Sequence, residues 1–190
     1  MMRKLFVLLV VIFSVCMVQA QKVKGDLSPL KGLDKVNVVF VYDGVTYDGD
    51  SEDEFFAQHK KRDDFEQWKT NWTGRFRDDK WEAKFLDELN KEAEDLKIDF
   101  AENSKAPYTM VVKMIDIDPG GFSGPFSVPS KLTGDISFVK TGSSDSFATI
   151  SFTKVQGNPY KLTPVYEDRV SFAFEELGET IGEILKKKVK

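Results

Sequence analysis

The chain has 190 residues, of which 41% are hydrophobic and 13% aromatic, enough to bury one sizeable core, so disorder is not expected. Its 27 Lys and Arg against 31 Asp and Glu give a net charge of −4, which disfavours a generic nucleic-acid binder, because neutralising phosphates takes a basic surface. Cys16 and His59 are the only cysteine and the only histidine, which sets aside disulfides, thiol catalysis, His-based triads and the usual zinc sites; no cofactor is expected.

The first twenty residues read as a cleaved secretory signal. Residues 1–4 make a short positive start, 5–18 an apolar run, and Val18-Gln19-Ala20 a small-residue cleavage site. The apolar run is shorter than the ~20 residues a membrane span needs, so no transmembrane segment is expected after cleavage. A lipoprotein would use Cys16, but Phe13-Ser14-Val15 lacks the small residue wanted just ahead of it. The expected destination is the periplasm or cell envelope. Loss of Arg3 and Lys4 with the signal makes the mature chain more acidic still.

Residues 21–34 contain Gly25, Pro29 and Gly32 without a clear period, and read as an exposed leader to a single domain over 35–190. Residues 35–43 (KVNVVFVYD) put Val36, Val38, Phe40 and Tyr42 on one face and Val39 and Val41 on the other, the pattern of an interior strand. A turn-rich link follows, then Ser51-x-x-Glu54, a capping box that starts a helix at Phe55 and Phe56. Phe65, Trp68 and Trp72 share one helical face, and Gly74 ends that segment. A second helix begins near Asp78 or Asp79, with Trp81, Phe85, Leu89, Ala93 and Leu96 as its apolar stripe and Glu82, Asp87, Glu88, Lys91 and Glu92 on the other sides.

Residues 108–118 (YTMVVKMIDID) read as another interior strand. The Gly- and Pro-rich stretch 119–129 (PGGFSGPFSVP) cannot hold a ladder or a helix and reads as a long loop. Residues 132–140 and 146–155 form a hairpin in which Ala148, Ile150 and Phe152 alternate with Thr149, Ser151 and Thr153, which argues for helices stacked on one side. A last helix over 167–188 carries Val170, Phe174, Leu177, Ile181, Ile184 and Leu185 and ends in lysines. The expected fold is α+β: a two-layer sandwich with a mixed, mostly antiparallel sheet of about four to five strands and helices on one face.

In order of elements, residues 35–43, 81–96, 108–155 and 167–188 resemble the periplasmic αβ domains of curli-secretion lipoproteins, of outer-membrane activators of penicillin-binding proteins, and of the Tol translocation protein N-terminal domain. The resemblance covers roughly 35–188 and is topological, without a signature motif. The chain departs from the pattern in lacking a credible lipid-attachment Cys and in its extra aromatic segment, 52–72. No site residue carries over; the resemblance implies a non-enzymatic envelope module that binds partners.

The constellations that might carry chemistry mostly lead elsewhere. The acidic stretch 48–54 opens like a calcium loop, yet Asp53 and His59 stand where such a loop needs Gly and Glu, and an acidic helix start accounts for the charges. Asp116 and Asp118, two apart on one strand face, could approach each other as a carboxylate pair for glycan hydrolysis requires, and a polar strand end leading into a turn accounts for them equally. Gly121-Phe122-Ser123-Gly124-Pro125 is not a nucleophile elbow, since Pro125 takes the second Gly position. His59 reads as an exposed helix residue. Asn71-Trp72-Thr73 is a short sequon match, and the terminal lysines suit the negative end of a helix.

Four aromatic residues are the candidate partner-binding set. Phe122 and Phe126 sit in the Gly/Pro stretch with little apolar neighbourhood of their own, where they either project outward or fold back as a lid. Trp68 and Trp72 either pack in the core, as helical spacing also permits, or form an exposed patch for sugar rings or partner pockets. The expected function is a secreted bacterial envelope protein acting as a non-catalytic binding or scaffold module for another envelope protein or a cell-wall polymer. The alternative is a carboxylate-dependent glycan hydrolase.

Overall fold

Alternation of apolar side chains builds the long strands. In a computed structural model, which describes residues 21–123, 126–161 and 163–189, four of them lie side by side: β2 (Lys35–Val41), β6 (Tyr108–Asp118), β9 (Lys131–Lys140) and β10 (Ser146–Gln156). The expected signal, 1–20, lies outside the described residues. With β1 (Lys22–Gly25) and β5 (Asp99–Glu102) at the edges, the sheet order is β1-β10-β9-β6-β2-β5, in which β2 runs parallel to β5 and β6 and the other pairs on this path are antiparallel. The protein is thus an α+β sandwich with a mixed sheet. The expected strand number is too low: β3 (Thr46–Tyr47) and β4 (Asp50–Ser51) bring this sheet to eight strands among the described residues. A separate two-stranded sheet pairs β7 (Gly121–Ser123) with β8 (Phe126–Val128).

One face of the large sheet is the core. Met110, Val112 and Met114 on β6, Ile136 and Phe138 on β9, and Ala148, Ile150 and Phe152 on β10 are buried there. Both β2 and β6 are interior in the sheet, but their second apolar face is open: Val39 is 40% and Ile115 43% exposed.

The helices follow from caps and stripes. Asp48 and Gly49, with φ of 52° and 86°, make the two-residue turn between β3 and β4. Ser51 then caps α1 (Glu52–His59) with both bonds of the capping box. α2 (Phe65–Thr73) ends at Gly74. A single π-helical turn, Arg77–Glu82, leads into α3 (Ala83–Glu92). Trp81, Phe85, Leu89 and Ala93 are buried as their spacing predicts, but Glu82, expected on the polar side, is buried too. The wider π turn takes more residues per revolution than the 3.6 of an α-helix, which shifts the phase at Glu82. α4 (Tyr166–Lys188) crosses α3 closely: a Cβ on Gly178 would stand 2.4 Å from the Phe85 carbonyl oxygen.

Two short edge segments differ from the expected organisation, and the first of them moves the start of the fold. Residues 21–34 are not an exposed leader. β1 pairs with β10 over Lys22–Gly25, and Leu27 and Leu30, three apart around a 3-10 turn, are buried in the core. At the opposite edge, β5 was not apparent in the sequence at all. The Asn90 side chain donates to the Phe100 carbonyl and accepts from its amide, both at 2.9 Å, which occupies the backbone groups that an added strand would use.

Candidate functional site

Trp68 and Trp72 are core residues, 3% and 0% exposed, so the exposed-patch reading of them is withdrawn. Their helical face meets rings from three other segments. Phe55 lies 5.1 Å from Trp72, Trp72 stands edge-on to Trp81 at 5.0 Å, and Trp81 stacks on Phe174 of α4 at 5.9 Å. His59 is half-buried rather than exposed: its ring stacks on Trp68 at 5.0 Å, with Nδ1 2.7 Å from the Phe55 carbonyl oxygen.

The 119–129 segment also differs from expectation, since it forms the β7–β8 hairpin rather than an unstructured loop. Its three-residue strands are too short to show alternation. Phe122 is 42% and Val128 52% exposed on this hairpin. The Phe126 side chain lies outside the described part of the structure. The hairpin stands on a locked base. Arg169 is buried and donates from Nε to the Pro119 carbonyl at 3.0 Å and from Nη1 to that of Thr163 at 3.0 Å. Ser130 Oγ donates to the Asp118 carbonyl at 2.6 Å, and Lys131 pairs with the Asp118 carboxylate at 3.0 Å.

Asp116 and Asp118 are drawn into local structure rather than left as a pair. Asp116 accepts from Thr46 Oγ1 at 2.6 Å and from the Gly49 amide at 3.0 Å, holding the β3–β4 turn against β6. Asp118 accepts from the Gly120 amide at 2.8 Å besides pairing with Lys131. Asp48 in the same turn is pushed up by partial burial and by the charges of Asp118 and Asp116.

A roomier concave surface lies elsewhere, where β2 ends against the π-helical turn. It has two lobes with Tyr42 and Arg77 in both. One, of about 680 Å³, is lined by residues 42–46, 51–53 and Arg77. The other, of about 330 Å³, reaches Val38–Phe40, Thr73, Asp78, Glu82, Glu102 and Asn103. Arg77 donates to Tyr47 Oη at 2.8 Å and to Glu52 at 3.0 Å, and its guanidinium lies 4.3 Å from the centre of the Tyr42 ring. Burial pushes the Glu82 carboxyl up to about 7; the Tyr42 phenol works against this shift and the Glu102 and Asp78 charges add to it. Burial, then the Asp78 charge, also raises Glu102. Tyr42 itself is raised well above its ordinary value by burial and by Glu82. This cluster escaped the sequence reading because Tyr42 and Arg77 are far apart in the chain and Glu82 falls on what the period marks as a polar face.

Compared with known proteins, the chain matches no protein family and no curated sequence. Two solved structures are similar to it: the PelC dodecamer from Paraburkholderia phytofirmans and a single-substitution variant of that dodecamer in a second crystal form. Each is 8% identical, with TM-scores of 0.44 and 0.43, over 84% of this chain and 94% of theirs. The function of this chain therefore rests on its own residues.

Proposed function

We propose that the mature chain is an exported envelope protein working as a non-catalytic binding or scaffold module, with the β7–β8 hairpin as its contact element for another envelope protein or a cell-wall polymer. The observation that carries this reading is a hairpin outside the main sheet that exposes an apolar side chain on each face, Phe122 at 42% and Val128 at 52%, and whose base is fixed by Arg169, Ser130 and Lys131. A rigid base under exposed apolar side chains lowers the entropy lost on binding. The signal-like start and the resemblance in element order to periplasmic binding domains support an envelope role, and the open apolar positions favour a protein pocket over a polymer as the partner. Among the described residues no helix is long and apolar enough to cross a membrane.

The hydrolase alternative needs two carboxyls across a cleft, about 5 to 10 Å apart. Asp116 and Asp118 instead hold a turn and a lysine, which supports binding over hydrolysis. The test is crosslinking in intact cells with the parent chain and with Phe122→Ser/Val128→Ser. Loss of the crosslinked partner at unchanged melting temperature supports the proposal. Retained crosslinking, or a melting temperature lowered by several degrees with crosslinking intact, overturns it.

A further inference from the structure

In the export reading, on which this inference rests, cleavage after Val18-Gln19-Ala20 makes Gln21 the first residue of the mature chain. We infer that Gln21 is a modification site, at which its own α-amino group closes on its side-chain amide to form a pyroglutamate ring.

The reacting groups belong to one residue. When a glutamine begins a chain, its α-amino nitrogen and its side-chain carbonyl carbon, Cδ, are spaced to close a five-membered lactam, and an intramolecular attack avoids the entropy of bringing two reactants together. The Nα–Cδ bond forms, the Cδ–Nε2 bond breaks, and Nε2 leaves as ammonia with the proton that Nα gives up. Nothing is oxidised or reduced, and no co-reactant is consumed. An α-amino group titrates near pH 8, so about a tenth of it is the uncharged nucleophile at neutral pH. Lys22 and Lys24 are exposed on the same strand, so closing the ring removes one of three neighbouring positive charges.

The fold keeps the N-terminus at this residue while the slow step proceeds. A loose leader would present one residue after another to aminopeptidases, but this chain is seated from the very next position. Lys22 pairs with Ser151 on β10, and the pairing runs on to Gly25 opposite Ala148. Gly25 lies so close to β10 that a Cβ there would stand 2.1 Å from the Phe147 carbonyl oxygen. The Asp26 amide donates to that same carbonyl at 3.3 Å, and Leu27 and Leu30 follow into the core. An exopeptidase that removed Gln21 would next have to strip a paired strand. Gln21 itself precedes the paired residues and keeps part of its surface in solvent.

The experiment expresses the full chain in a bacterial host, recovers it from the envelope fraction, holds it for a week at pH 8, and reads intact mass and stepwise N-terminal sequence. The expected result is a chain of residues 21–190 that is about 17 Da lighter than its sequence requires, the mass of the lost ammonia. It should be blocked to sequencing until pyroglutamyl aminopeptidase, applied after denaturation, uncovers Lys22. Gln21→Ala should show the unreduced mass and Ala in the first cycle. A chain that begins at Gln21 with its full mass and yields Gln in the first cycle would overturn the inference and leave the export reading intact. A chain that keeps residues 1–20, or begins elsewhere, would overturn both.

Discussion

The rings around Trp72 and the ring of Phe122 are the same kind of side chain put to opposite uses. Phe55, Trp68, Trp72 and Trp81 come from consecutive helical segments whose rings meet one another, and Trp81 also stacks across the layer on Phe174. Phe122 sits in a three-residue strand of a two-stranded sheet, where the chain supplies it no such neighbours. Aromatic content alone therefore does not separate core from surface; the length and company of the element carrying the ring do. The same contrast holds for charge. Arg169 is spent on backbone carbonyls under the hairpin, whereas Glu82 is buried beside a cavity, where desolvation holds its carboxyl up at about 7.

The largest effect is expected at the buried cluster: Trp72→Ala should cost about 3 to 5 kcal/mol in denaturant unfolding, the range for deleting a fully buried ring. A loss below about 1 kcal/mol would mean that the cluster is not the core.

Next comes Glu82. Its carboxyl sits at about 7 in the folded chain against an ordinary 4.5, so the folded state keeps a proton that the unfolded state releases. The stability contribution of this group therefore falls as pH rises from about 4.5 to about 7, by on the order of 2 to 3 kcal/mol. Glu82→Gln should flatten the profile between pH 5 and pH 8 and be the more stable chain at pH 8. An unchanged slope would show that Glu82 is solvated. A smaller effect is expected where the helices meet: Gly178→Ala must push the Phe85 carbonyl aside and should cost about 1 to 3 kcal/mol, read from the shift in denaturation midpoint. The smallest belongs to the hairpin, where Phe122→Ser should stay within about 0.5 kcal/mol of the parent, as an exposed substitution does.

What could be read from the sequence follows element length. β2, β6, β9 and β10 and the stripes of α3 and α4 were legible because seven or more residues let a period of 2.0 or 3.6 show itself. β1, β5, β7 and β8 have three or four residues each, and their pairing is settled by partners distant in the chain. The Gly- and Pro-rich composition of 119–129 masked a real hairpin, and Gly25 and Pro29 gave 21–34 the look of a leader although Leu27 and Leu30 fill the core. Of the candidate site, the sequence marked Phe122 but could not place Tyr42, Arg77 and Glu82 together, because one π-helical turn moved Glu82 off the face its spacing assigns.

The proposed contact element is the hairpin rather than the open sheet face, where Val39 is equally exposed at 40% against 42% for Phe122. The most direct measurement places a photocrosslinking phenylalanine derivative at position 122 in one chain and at position 39 in another, and illuminates cells expressing each. The account predicts a discrete partner adduct from position 122 and none from position 39. An adduct from position 39 alone, or none from either at matched expression, would contradict it.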